Sequence, residues 1–182
     1  MKPRFKVLQL QPDYNVKTHD FADLGEQIVK SLPAERFEVT SGFLSGRPLP
    51  GQPLSVAEHS HYFELPEKSL KGILFFAFLQ IYKYCREQKF DVVICNRFKS
   101  VNMMLSLNRW LKIPLCIGIS HGFGEYARGY RRRQTQRWVS PAWRFVGVSE
   151  AVKDYLVDLN CGFTPENTTY VTNAIDIPQP DA

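Results

Sequence analysis

WRFVGVSEAVKDYLVDLNCGFTPENTTYVTNAID, residues 143–176, holds a strand, a capped helix, a turn and a second strand in one short unit. Residues 143–148 form an apolar run of the kind buried in a parallel strand. Ser149 follows at once, ahead of Ala151, Val152, Tyr155, Leu156 and Leu159 at helical spacing, which reads as an N-cap. Glu150 places a carboxylate at the positive end of the helix dipole. Cys161-Gly162 is read as the helix stop, Pro165 as the start of a turn, and residues 168–172 as a β-branched and aromatic strand.

Outward from this unit the chain repeats the same alternation. Strands are expected at residues 5–10, 37–44, 62–65, 91–95 and 115–119, and helices at 19–32, 69–88 and 100–111. The first helix carries Phe21, Leu24, Ile28 and Leu32 on one face, and Pro33 stops it. The 69–88 helix is apolar on more than one face, so it packs against a sheet and a neighbour together. A basic, aromatic stretch, helix or loop, follows residues 120–127. Strands alternating with helices in this way imply right-handed βαβ units. The fold class is α/β: a Rossmann-like three-layer domain with a mainly parallel sheet. Residues 1–176 form that domain, and Ile177-Pro178-Gln179-Pro180 has the composition of a linker that fills residues 177–182.

With 182 residues, 44% of them hydrophobic and 23% charged, the chain can bury the core of one sizeable domain, which argues against disorder. The longest apolar stretch, residues 73–81, is too short to span a bilayer, for which about 20 apolar residues are needed. No secretory signal opens the chain. Cys85, Cys95, Cys116 and Cys161 are widely spaced, with no C-x-x-C pair, and read as buried free thiols of a reducing cytosol. A net charge of +5 favours anionic partners. The charge concentrates at Arg128, Arg131, Arg132, Arg133, Arg137 and Arg144, in a segment without Asp or Glu but interleaved with Tyr126, Tyr130, Trp138 and Trp143. A solvated basic face is one reading. Contact with anionic lipid or a phosphorylated, lipid-linked acceptor is the other, since Arg pairs with phosphate and Trp and Tyr suit a membrane interface.

In an open parallel sheet, ligands bind at the carboxyl ends of the strands. The loops 11–18, 96–99 and 120–126 therefore share a rim, and Tyr14, Asn15, Lys17, Asn96, Arg97, Ser120 and Gly122 are its candidate substrate-binding residues. His121, set among small residues at a strand end, faces a cleft as a ligand contact or caps a surface loop. Glu125 orients His121 by a hydrogen bond or is a solvated carboxylate. Asp13 is a base or, more in keeping with its neighbour Pro12, a turn residue. His59 and His61 make an H-x-H pair with no further ligands at metal-binding spacing, so no metal site is expected.

Val148-Ser149-Glu150-Ala151 and Asn173-Ala174-Ile175-Asp176, at this separation, resemble the end of the N-terminal domain in GT-B glycosyltransferases, especially family 4, where the second motif is N-G-I-D. Here Ala174 replaces the glycine. The loop 12–18 also lacks the glycine pair with which that family approaches the donor phosphates. The resemblance covers nearly the whole chain but half of the implied enzyme, with a C-terminal donor domain expected to follow residue 176. It implies transfer of a sugar from a nucleotide-sugar donor to an envelope polysaccharide or lipopolysaccharide acceptor, with no bound cofactor or metal. It further implies that His121 touches the donor sugar, which makes it a catalytic candidate with Glu125 beside it as the second, and implies a chain inactive without the donor half and a site of action in the cytoplasm at the inner face of the membrane. Two other classes compete. A nucleotide-binding domain of another kind lacks its G-x-G-x-x-G or P-loop signature, and a nucleic-acid module lacks a reading motif.

Overall fold

The structure, a computed structural model, describes residues 3–14, 24–66 and 75–172. Seven strands run in parallel in a single sheet: β1 (Phe5–Asp13), β2 (Phe37–Ser45), β3 (His59–Tyr62), β4 (Val92–Asn96), β5 (Leu115–Ser120), β6 (Trp143–Gly147) and β7 (Thr168–Tyr170). Their order is β3-β2-β1-β4-β5-β6-β7. The chain therefore winds outward from β1 in one direction, then returns to β4 and winds in the other. Among the described residues five helices connect the strands: α1 (Leu24–Ser31), α2 (Phe75–Gln88), α3 (Arg97–Leu111), α4 (Gly129–Trp138) and α5 (Glu150–Asp158).

Period-2 alternation assigns each strand residue to one of two cores. Leu8 and Leu10 of β1, Val93 and Cys95 of β4, Cys116 of β5, and Trp143 and Phe145 of β6 join residues of α2, α3 and α5 in the larger core. Val7, Ile94 and Ile119 face the other way and pack with Val29 of α1 and Val39 of β2. Trp143 shows which term dominates. Its indole Nε1 has no hydrogen-bond partner, a cost of about 1–3 kcal/mol. Burying roughly 200 Å² of ring at about 25 cal/mol per Å² returns about 5 kcal/mol, so the ring stays inside.

Most expected elements form, and the departures have local causes. β3 is His59–Tyr62, three residues earlier than its expected position. Phe63 and Leu65 still donate to the Phe43 and Leu44 carbonyls at the end of β2, but their side chains are taken into the core. α3 begins at Arg97, not at Ser100. Ser100 lies inside the helix and donates back to the Asn96 carbonyl at 2.6 Å, an intrahelical use of its hydroxyl. Arg97 itself takes φ 63°, so the strand turns into the helix within one residue. α5 ends at Asp158, before the expected Cys161-Gly162 stop, because Asn160 adopts the left-handed conformation at φ 48°. The basic stretch is the helix α4. Asn173-Ala174-Ile175-Asp176, the expected linker at 177–182, and residues 19–23 and 69–74 of the expected 19–32 and 69–88 helices lie outside the described residues.

The unit at the head of the sequence reading folds as its residues dictate. Ser149 Oγ accepts the Val152 N–H at 3.3 Å. At Gly147 a Cβ would stand 2.6 Å from the Lys153 backbone nitrogen, so the first turn of α5 can cross β6 there only over glycine. Ser149→Ala is expected to lower stability by about 1 kcal/mol. Gly147→Ala, which forces strand and helix apart, is expected to cost about 1–3 kcal/mol. Urea unfolding of the two variants measures both, and an alanine at 147 without effect would contradict the close approach.

Candidate functional site

The change of winding direction between β1 and β4 opens a crevice at the carboxyl ends of these strands, the place where such sheets bind ligands. A cleft of about 300 Å³ lies there, lined by Pro12, Asp13, Arg97, Phe98, Lys99, Glu125 and Arg131. A larger groove of about 550 Å³ sits beside Asp91, Lys89 and Trp110 at the opposite, amino end of the strands. The rim is the stronger candidate, because residues from four elements converge on it with a half-exposed histidine.

His121 leaves β5 directly above the end of β4. Its Nε2 lies 3.4 Å from Asn96 Oδ1, and Asn96 is the last residue of β4, with 4% of its surface exposed. Next to it the loop is open: a Cβ at Gly122 would meet nothing within 4 Å. Phe123 is two-thirds exposed, its ring set edge-on to Tyr155 at 5.4 Å. Gly124, at φ 88°, donates to the Tyr155 hydroxyl.

Glu125 is what holds this loop. One carboxylate oxygen accepts the His121 N–H at 2.9 Å and the other accepts the Phe98 N–H at 3.0 Å. The side chain thus contacts the backbone of His121, not its imidazole. It also occupies the first turn of α3, where a negative charge is favoured. Burial raises the Glu125 pKa, against the lowering pull of those two N–H donors and of Arg97 and Arg131. Arg131 closes the arrangement from α4, donating to the Glu125 carbonyl and lying 4.4 Å over the Phe98 ring.

The expected site residues divide by position. Asn96, Arg97, His121 and Gly122 meet at the rim. Tyr14 does not open onto it: the side chain is fully buried, packs on Phe43 and Tyr62, and donates to the Pro53 carbonyl at 2.6 Å. Ser120 is 2% exposed and shares a hydrogen bond with Tyr126. Asn15 and Lys17 lie outside the described residues. Of the basic group, Arg128, which caps α4, and Arg133 and Arg137 on it are exposed, whereas Arg131 and Arg132 are half-buried and Arg131 is turned inward. His59 stands 3.7 Å from Glu38 and from Glu58, and His61 stacks on Tyr84 at 3.8 Å. Among the described residues no three potential metal ligands gather. The four cysteines are buried and free, and burial pushes the Cys85 and Cys116 thiols up to about 12, too high for thiolate chemistry at neutral pH.

Three residues escaped the sequence reading. Phe123 was marked only by its position between two glycines. Gln9 was marked by its period-2 placement in the first strand, whereas Gln11 was assigned to the loop 11–18 and in the structure continues β1, which runs to Asp13; both are at least nine-tenths buried.

Glu125→Gln replaces one acceptor oxygen by an NH2 group that meets a backbone donor. The expected loss is about 1–3 kcal/mol at neutral pH. The pH dependence carries a second signature. A carboxyl whose folded pKa is raised keeps its proton longer in the folded state, so its contribution falls as pH rises from the ordinary value of 4.5 to the raised folded value. The glutamine variant is expected to lack that slope in denaturation curves taken across this window.

The sequence matches the family model described as Glycosyltransferase Family 4 over residues 26–179. Among curated proteins none matches significantly. Among solved structures the chain is similar to HepE from Anabaena in complex with UDP and glucose, with TM-score 0.66 and 15% identity over 95% of this chain and 45% of that one. It is also similar to a sucrose-phosphate synthase from Thermosynechococcus elongatus, with TM-score 0.55 and 12% identity over 92% of this chain and 88% of that one. A third likeness is to UDP-GlcNAc 2-epimerase from Neisseria meningitidis bound to UDP-GlcNAc, with TM-score 0.55 and 13% identity over 93% of this chain and 46% of that one. At these identities the structural likeness is one of fold. The chain spans just under half the length of HepE and of the epimerase. A Rossmann-like domain whose family match covers most of its residues belongs to glycosyltransferase family 4.

Proposed function

We propose that the chain is the acceptor-side half of a two-domain glycosyltransferase that moves a sugar from a nucleotide-sugar to an envelope polysaccharide or lipopolysaccharide acceptor. The observation that carries this reading is the placement of His121 at the carboxyl end of β5, on a loop clamped to α3 by Glu125 and open at Gly122. His121 contacts the sugar being transferred. Glu125 acts through the loop, as a positioning residue. Arg97 and Lys99, exposed in the rim cleft, meet the negative charge of the donor diphosphate or of a phosphorylated acceptor. HepE was solved in complex with UDP-glucose, and a UDP-sugar is the donor class proposed here. The nucleotide is held chiefly by a second Rossmann-like domain, so this chain alone is inactive.

The acceptor is reached at the inner face of the cytoplasmic membrane. Helices α2, α3 and α4 lie side by side on one face of the sheet. They expose Phe75, Phe76 and Leu79 on α2 and Trp110 on α3, with Arg133 and Arg137 on α4 and Arg128 at its N-cap. Aromatic residues with cations beside them suit peripheral contact with anionic lipid. Among the described residues no helix is long and apolar enough to cross a membrane.

The test is a transfer assay with radiolabelled UDP-glucose and lipid-linked acceptors. The 182-residue chain is expected to be silent and the same chain joined to a donor-binding half to be active. In the active form His121→Ala lowers kcat/KM by about 100-fold with the unfolding midpoint unchanged. Full transfer by the chain alone, or an alanine variant that keeps its rate, would reject the assignment. Sedimentation with phosphatidylglycerol vesicles, diminishing with salt, tests the membrane contact separately.

A further inference from the structure

Four polar atoms without a hydrogen-bond partner collect on one side of the sheet near the crevice: Gln9 Nε2 and Oε1, Gln11 Nε2 and Asn96 Nδ2. Their positions follow from the register. Gln9 pairs with Ile94 and Leu10 with Cys95, which sets Gln11 beside Asn96, both on the face that carries Val7, Ile94 and Ile119. His121, two residues beyond Ile119, joins them through its contact with Asn96 Oδ1. Towards the amino ends of the strands this face is apolar; towards the carboxyl ends it turns into a row of amides. Gln9 has 0% of its surface exposed, Gln11 5% and Asn96 4%.

An orphaned buried amide weakens a fold, and native proteins keep few of them. Exchanging oxygen and nitrogen at Gln9 does not help, since both atoms lack a partner. Tyr62 Oη, Asn102 Oδ1 and Trp143 Nε1, which also lack a partner, stand on other elements. The four amide atoms stand on two neighbouring strands, β1 and β4, where the winding reverses. Their chemistry selects the occupant. Amides carry no charge and offer donors and acceptors together, as a hydroxyl group does. The cations that would serve a phosphate, Arg97, Lys99 and Arg131, line the cleft instead.

We propose that Gln9, Gln11 and Asn96, beside His121, form a subsite for an uncharged, hydroxyl-rich group, a sugar ring of donor or acceptor. This deepens the glycosyltransferase reading and rests on it for the choice of sugar over other polyols. Gln11 and Asn96 donate to ring hydroxyls, and Gln9, two residues further back along β1, completes the set from below.

The experiment labels the side-chain amides of the 182-residue chain with nitrogen-15 and titrates it with D-glucose, D-mannose and N-acetylglucosamine, with ethylene glycol as the control. The Gln9, Gln11 and Asn96 amide signals are expected to shift with at least one sugar and not with ethylene glycol. Gln9→Met and Gln11→Met remove an orphan each at nearly constant volume. Each is expected to raise the melting temperature by about 2–4 °C and to abolish the shifts at the amides that remain. Amides that ignore all three sugars, or methionine variants that melt lower because each amide held a structural water, overturn the proposal. The two readings fail separately. Sugar transfer with silent amides removes the subsite and keeps the glycosyltransferase, whereas responsive amides in a chain whose complete form transfers nothing keep a sugar site and remove the transfer.

Discussion

A strand hydrogen-bonded along both edges and covered on both faces is shut off from bulk water, and β1 is such a strand. Each of its polar atoms must find a protein partner, hold a trapped water, or wait for a ligand. Along most of its length β1 meets that demand with Val7, Leu8 and Leu10, and the two cores grow from these residues. At its carboxyl half it departs from the rule with two glutamines. The departure coincides with the switch in winding direction, where a parallel sheet leaves room between the connections that leave β1 and β4.

Beside that strand, one carboxylate organises the rim. Glu125 reaches from the loop after β5 to the first turn of α3 and uses both oxygens on backbone donors. The cost of burying its charge is met by two N–H groups, the end of a helix and Arg131, while its pKa is still drawn upward. The result is a loop held firmly at His121 and at Glu125, with Gly122 and Phe123 displayed between them. Arg97, bent into the left-handed region at the strand-to-helix junction, stands exposed at the lip of the same cleft. Backbone strain of this kind persists only where the surroundings enforce it, and here the Phe98 N–H bonded to Glu125 helps to fix the junction.

Legibility differed from element to element for physical reasons. β4 was readable because a strand covered on both faces is apolar almost throughout, and β6 because Trp143 and Phe145 alternate on its core face. α5 was readable because its cap, its first-turn carboxylate and its apolar stripe agree. β3 was misplaced because an edge strand tolerates polar residues: His59 faces Glu38 and Glu58 at the margin, so His-Ser-His-Tyr carries no apolar signal. The start of α3 was misplaced because the strand turns into the helix within one residue, at Arg97 with φ 63°, and no local apolar pattern marks such a junction. At the site, His121, Asn96, Arg97 and Gly122 were legible as residues on strand-end loops. Tyr14 and Ser120 share those loops but turn inward, since Tyr14 closes an aromatic cluster with Phe43 and Tyr62 and Ser120 serves Tyr126.

The order of residues along the chain determined the alternation of strand and helix, the parallel sheet and the family, because periodicity, caps and motif spacing are local properties. Only the tertiary structure decided what Glu125 binds, which arginines face solvent and where the unsatisfied amides gather. Phe98 and Glu125 are 27 residues apart, and Asn96 and His121 are 25 apart. No local pattern encodes a meeting over such distances. It follows from strand order and register, which bring β1, β4 and β5 side by side before any of these side chains can touch.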